Sequence, residues 1–169
     1  MSADIVGARI DERLIHGQVA TAWTNHLEAS RIMVIDDSIV QSPSEKMILK
    51  MACPQNCKLS ILRTSTAISN LLSEKYGEDR VFIVCKRPLV FLELLKGGVQ
   101  FSRLVLGNMS ARESDAVMLR RSVYVTREEM DHLRQIESFG VEMLVQQTPA
   151  DGGETLKDIM AIKGGQLWD

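Results

Sequence analysis

Ile5-Val-Gly-Ala-Arg-Ile10, Asp11-Glu-Arg-Leu-Ile-His-Gly-Gln18 and Val19-Ala-Thr-Ala-Trp23 follow one another without a break. The first segment is short, apolar and rich in β-branched residues, as a buried strand is. The second is largely polar and carries Asp11, Glu12 and Arg13, while Arg9 is the one charge in the first. In the third, Val19, Ala22, Trp23, His26 and Leu27 recur at helical spacing. Strand, loop and helix in that order form the opening of a parallel α/β sheet.

The same alternation continues along the chain. Apolar runs recur at Ile32–Ile35, Leu59–Leu62, Val81–Val84, Leu104–Leu106, Val123–Val125 and Val141–Val145. Several are apolar on both faces, which suits a sheet covered by helices on both sides. Between them lie helical signals. Ser42-Pro-Ser-Glu45 reads as a capping box with proline at the first helical position, and Met47, Ile48 and Met51 form the apolar stripe that should face inward. Pro54 lies past that helix. Ala67, Ile68, Leu71 and Leu72 mark another. Pro88 opens a fourth, which Gly97-Gly98 stops. Thr126-Arg-Glu-Glu129 is a second capping box before Met130, Leu133 and Ile136, and a last helix is expected over Glu154–Ile162. The polar stretch Asn108–Arg121 should join neighbouring strands without a regular crossover helix, which allows an antiparallel strand. The expected architecture is an open, mainly parallel α/β sheet of about seven strands with helices on both faces.

Composition narrows the function. The chain has 169 residues, 45% hydrophobic and 25% charged, which suits a single domain over 1–169 with a sizeable core. A formal net charge of -2 argues against nucleic-acid binding. No apolar run reaches the roughly 20 residues of a membrane helix, and the N-terminus lacks an apolar signal region, so a soluble, cytoplasmic protein is expected. The odd cysteine count, Cys53, Cys57 and Cys85, fits a reducing compartment better than a disulfide framework. Neither a metal site nor a cofactor is implied.

The candidate site is the loop. His16 stands at its end, with Gly17 and Gln18 opening the helix, whose free N–H groups and dipole attract anions. Arg9 and Arg13 can offer guanidinium forks to phosphate oxygens, and Asp11 and Glu12 can hold those arginines or fix the imidazole tautomer. A neutral imidazole nitrogen can attack phosphorus. On spacing alone, an ordinary charged loop with a solvated or capping histidine is the better reading, and no G-x-x-x-x-G-K-[ST] loop supports a nucleotide site.

The run Arg9-Ile-Asp-Glu-Arg-Leu-Ile-His-Gly-Gln-Val19 closely resembles the active-site segment of IIB components in the mannose/fructose/sorbose family of phosphotransferase systems. Gly97-Gly-Val99 and Val105-Leu-Gly-Asn-Met109 resemble its later landmarks, and the likeness covers nearly the whole chain. The resemblance implies a phosphoryl carrier. Its histidine, matching His16, accepts the group from a phosphohistidine on the IIA component and passes it to a sugar entering through membrane components IIC and IID. It implies peripheral association with that transporter, allows a homo-oligomer, and puts the Gly107–Met109 turn near the active-site loop, with Gly107 and Asn108 as candidate phosphate-binding residues beside Gly17 and Gln18. Asn108 replaces the glycine of the commoner Gly-Gly-Met form and is associated with relatives handling amino sugars such as N-acetylgalactosamine. The alternative reading of these residues is a strand-end turn in which Gly107 or Asn108 takes a left-handed conformation, and the two readings can both hold.

Two other readings compete. Asp36-Asp37 is similar to the acidic pair of a response-regulator receiver, but the later aspartate and lysine are missing, so a strand-end turn on the rim of the His16 site is preferred. The third reading is a carbohydrate-binding or regulatory module without turnover. His26 is expected to be packed, His132 solvated and Trp23 in the core. Lys86-Arg87 either approach the phosphate or form a solvated pair.

Overall fold

The computed structural model describes residues 2–168 and places the first segment as read. Strand β1 (Asp4–Asp11) leads through the loop into helix α1 (Gly17–Leu27). Then follow β2 (Arg31–Ile35), a 3-10 turn (Ile39–Gln41), α2 (Pro43–Ala52), β3 (Lys58–Leu62) and α3 (Thr64–Leu72). The second half is β4 (Arg80–Cys85), α4 (Pro88–Lys96), β5 (Arg103–Asn108), β6 (Val117–Arg120), β7 (Val123–Val125), α5 (Arg127–Ser138), β8 (Glu142–Val145), β9 (Glu154–Thr155) and α6 (Leu156–Ile162).

Seven strands form one sheet in the order β3-β2-β4-β1-β5-β8-β9. All pairings are parallel except β8 with β9. The seven are not the seven apolar runs, however. Val123–Val125 belongs to a separate antiparallel pair, β6 with β7. The seventh strand is Glu154–Thr155, which the sequence assigns to a helix. Two residues carry no periodicity, and Thr155 does double duty, its side chain accepting from the Asp158 N–H to cap α6. The Asn108–Arg121 stretch contains β6 and lacks a helix, as expected.

Helices α1 and α2 pack on one face, with Trp23, Ala20 and Leu49 against Ile32, Val34, Phe82 and Val84. Helices α3 to α6 pack on the other, against Ala8, Ile10, Ile83 and Leu106. Strands β1 and β4 are neighbours, yet the helices that follow them leave toward opposite faces. Their loops therefore part at the carboxyl edge of the sheet and open a crevice, the place where such folds bind ligands.

The caps behave as their chemistry requires. Ser42 Oγ accepts from the Glu45 N–H, and Thr126 and Glu129 form a full reciprocal capping box. The α2 stripe does not behave so. Met47, Ile48 and Met51 are 57%, 63% and 80% exposed, and Leu49 is the buried residue. Helical spacing gives two opposite stripes in so short a segment, and only docking chooses between them. Burial pushes the thiols of Cys53, Cys57 and Cys85 up, as for packed, unreactive groups. Among the described residues no helix is long and apolar enough to cross a membrane.

Candidate functional site

His16 is the N-cap of α1, in extended conformation, at the carboxyl edge of β1 and with its side chain 25% exposed. The positive end of the α1 dipole therefore lies beside the imidazole. Two residues of this loop have left-handed backbones. Leu14 adopts φ 59 although it is not glycine, and it buries its side chain among Ile15, Ala20 and Trp23. Gly17 adopts φ 43, and a Cβ there would touch nothing. Glycine is needed at 17 for its conformation, not for space.

Asp11 organises the loop. It is fully buried, and its carboxylate accepts from the Arg13 N–H at 3.0 Å, Arg13 Nε at 3.2 Å, Arg13 Nη2 at 3.3 Å and Arg9 Nη2 at 3.3 Å. Burial alone would raise its pKa. The bonds from Arg13, the Arg9 charge and the bond from His16 outweigh that and hold the carboxyl below its ordinary value. An ionised carboxylate only accepts, so the His16 Nε2 lying 3.2 Å from Asp11 Oδ2 carries the proton. The lone pair is then on Nδ1, available to an electrophile.

Arg9 is placed otherwise than a phosphate ligand. It is 2% exposed. Its guanidinium donates to the Gln146 carbonyl at 2.8 Å and to Asp11, and lies 5.1 Å over the Trp23 ring. Burial pulls its pKa down against the Asp11 charge, but an arginine stays cationic. Arg13, its side chain 46% exposed, is the guanidinium that faces solvent beside His16.

Gly107 and Asn108 end strand β5 and Met109 bridges to Val123, so they form no turn, but they do lie against the loop. Asp11 pairs with Asn108, whose carbonyl accepts from the Glu12 N–H at 3.1 Å. Neither Gly107 nor Asn108 has a left-handed backbone, so the alternative reading as a left-handed turn does not hold. Gly107 is required by crowding: a Cβ there would stand 2.2 Å from Arg9 Cζ. Gln147 donates to the Gly107 carbonyl, and Trp23 donates to the Gln147 carbonyl at 3.0 Å, so β5, β8 and α1 close around Arg9.

On the other side, Glu12 gathers a second cluster that sequence reasoning missed in part. Its carboxylate accepts from the Ser110 N–H at 2.7 Å, Ser110 Oγ at 2.8 Å, Arg87 Nη2 at 3.1 Å and Arg112 Nε at 3.3 Å. Burial would raise its pKa, but these donors hold it below the ordinary value. Arg87 also donates to Glu129 at 3.0 Å, so it is a structural tie and not a solvated group. Ser110 and Arg112 lie within three residues of the flagged Gly107–Met109 stretch, the one sequence signal that pointed to them.

The remaining candidates are elsewhere. The Gln18 side chain lies outside the described residues. Asp36 accepts from the Ser38 and Ile39 N–H groups, and Asp37 from Thr64, so both cap local structure and form no acidic pair of a receiver. His26 is exposed and meets Trp23 edge-on at 6.1 Å; it is not packed. His132 is half-buried, not solvated, with its Nδ1 lacking a partner among the described residues. Trp23 is buried as expected. Among the described residues no group of three or more acidic, cysteine or histidine side chains can hold a metal.

Comparison with known proteins gives one consistent answer. An N-acetylgalactosamine-specific phosphotransferase enzyme IIB component 2 of Escherichia coli strain K12 is 30% identical over 148 residues, covering 88% of this chain and 93% of that protein. The mannose-specific EIIAB component of the same strain is 28% identical over 154 residues, 91% of this chain, which spans 47% of that longer protein. The crystal structure of the IIBSor domain of the sorbose permease from Klebsiella pneumoniae superposes with a TM-score of 0.89 at 26% identity, covering 94% of this chain and 97% of the domain. Residues 5–168 match the sequence profile described as "PTS system sorbose subfamily IIB component", and the chain belongs to that family.

Proposed function

We propose that this chain is a cytoplasmic phosphoryl carrier that takes the group onto His16 from a phosphohistidine of a IIA component and delivers it to a sugar at the IIC and IID membrane components. The observation that carries this reading is the Asp11–His16 contact, which leaves Nδ1 as the free nucleophile at a helix N-terminus. In the first transfer the Nδ1 lone pair attacks phosphorus, the new N–P bond forms as the donor's N–P bond breaks, and Asp11 stabilises the positive imidazole ring by holding the Nε2 proton. In the second, a sugar hydroxyl oxygen attacks phosphorus, the O–P bond forms as the His16 N–P bond breaks, the electron pair returns to Nδ1 to leave the neutral ring with its Nε2 proton, and the hydroxyl proton passes to solvent. Arg13 and the Gly17–Gln18 backbone face the phosphoryl oxygens, and Arg9, Gly107 and Asn108 hold Asp11 and the loop in place.

A mannose-specific relative that carries its IIA and IIB parts in one component supports a IIA donor. Donor and acceptor must each reach the same imidazole, so they dock alternately, and membrane association is peripheral.

The test mixes purified variants with upstream phosphotransfer proteins and labelled phosphoenolpyruvate. His16→Gln should take up no alkali-stable label while keeping its fold. Arg13→Ala should transfer about a hundred- to a thousandfold more slowly, the usual worth of one contact to developing charge. Normal alkali-stable labelling of the His16→Gln protein would overturn the reading. Alkali-labile label on an aspartate would instead favour a receiver-type switch.

A further inference from the structure

The arginines at the carboxyl edge divide by exposure. Arg9 has both terminal nitrogens committed, to Gln146 and Asp11, and its side chain is 3% exposed. Arg87 has both committed, to Glu12 and Glu129, at 23%. Arg13 and Arg112 differ. Their side chains are 46% and 54% exposed. Arg112 touches Glu12 through Nε alone, which leaves the outer edge of its guanidinium, two terminal nitrogens, without a partner among the described residues.

Charge points the same way. Arg9, Arg13, Arg87 and Arg112 stand against the carboxylates of Asp11, Glu12 and Glu129, so the cluster keeps one excess positive charge. An incoming phosphoryl group carries close to two negative charges at neutral pH. With Arg9 sealed beneath the loop, Arg13 alone faces it from the Asp11 side. Glu12 follows Asp11 directly, and its carboxylate accepts from the Arg112 Nε, which ties Arg112 to the residue next to Asp11.

We propose that Arg112 is the second guanidinium of the transfer site, a catalytic residue that reaches the phosphoryl oxygens on His16 with its free terminal nitrogens while Glu12 holds its Nε. This rests on the carrier reading above. It assigns to Glu12, Ser110 and Arg87 the task of aiming Arg112, as Asp11 and Arg9 aim Arg13 and His16. A bidentate guanidinium fits two phosphoryl oxygens better than an ammonium does.

The test uses the full chain, wild type, Arg112→Ala and Arg112→Lys, with His16→Gln as the blank. Single-turnover transfer from phosphorylated IIA is measured across IIA concentrations. Arg112→Ala should lower the saturating rate constant at least tenfold with little change in half-saturation, and Arg112→Lys should recover part of it. Inorganic phosphate, titrated by amide shifts of the Gly17 region, should bind Arg112→Ala more weakly. Circular dichroism and urea midpoints check that the variants remain folded. An unchanged saturating rate overturns the proposal while leaving the carrier reading intact, as does a change confined to half-saturation, which would make Arg112 a docking contact. Failure of the wild type to take label sinks the carrier reading instead; the phosphate titration then decides alone, and equal affinities of wild type and Arg112→Ala overturn the assignment.

Discussion

Replacing Gly107 with alanine is a severe perturbation from one methyl group. The added Cβ would stand 2.2 Å from Arg9 Cζ and Nη2 and 2.7 Å from Nε. A flexible side chain normally swings away from such a contact. Arg9 has nowhere to go, because it lies over the Trp23 ring and is held by the Gln146 carbonyl and Asp11. If it shifts while keeping those bonds, the cost is that of overpacking, about 1–3 kcal/mol. If it leaves Asp11, a buried pair is broken and the cost rises to about 3–5 kcal/mol. An intermediate loss of about 3 kcal/mol corresponds to a melting temperature roughly 6–12 °C lower for a chain of this size. The same displacement loosens Asp11, so phosphoryl uptake should fall as well. Urea unfolding and calorimetry measure the stability term. A double-mutant cycle with Arg9→Met isolates its cause, because the alanine penalty should largely disappear once the guanidinium is gone. A Gly107→Ala protein within about 0.5 kcal/mol of wild type, or additive effects in the cycle, would refute the crowding argument.

Acid should weaken the protein through the same carboxylates. The folded pKa of Asp11 lies below its ordinary 3.8, so its contribution is complete above that value and is lost as pH falls through the folded one. Glu12 acts likewise from its ordinary 4.5 downward. Urea midpoints followed from neutral pH downward should fall below about pH 4.5, and Asp11→Asn should flatten part of that slope; equal slopes would count against it. Helix α2 offers a packing test. Leu49→Ala should cost about 2–5 kcal/mol and Met51→Glu within about 0.5 kcal/mol, and the reverse order by urea unfolding would mean the helix docks through its other stripe.

The motif Arg9–Val19 carried the local part of this site in its own order of residues. A strand-forming run, a polar turn and a helical run place His16 at a helix N-terminus because each preference acts over a few residues. The caps at Ser42 and Thr126 were legible for the same reason, since donor and acceptor lie three residues apart. Within the loop, sequence could offer Asp11 as a partner for the arginines or the imidazole, but not the number of bonds converging on it.

The placement of the arginines was decided by tertiary structure. Arg9 and Arg13 look alike in the sequence, yet one meets a carbonyl 137 residues away and is sealed, and the other faces solvent. Glu12 meets Ser110 across 98 residues, and the same carboxylate meets Arg112. The choice between the two stripes of α2, and the pairing of Glu154–Thr155 as a seventh strand, likewise depended on which surface lay opposite. Periodicity and capping report the chain's short-range preferences. Burial, charge pairing and the need for glycine at 107 arise only where distant strands converge, and no local pattern encodes which groups will meet there.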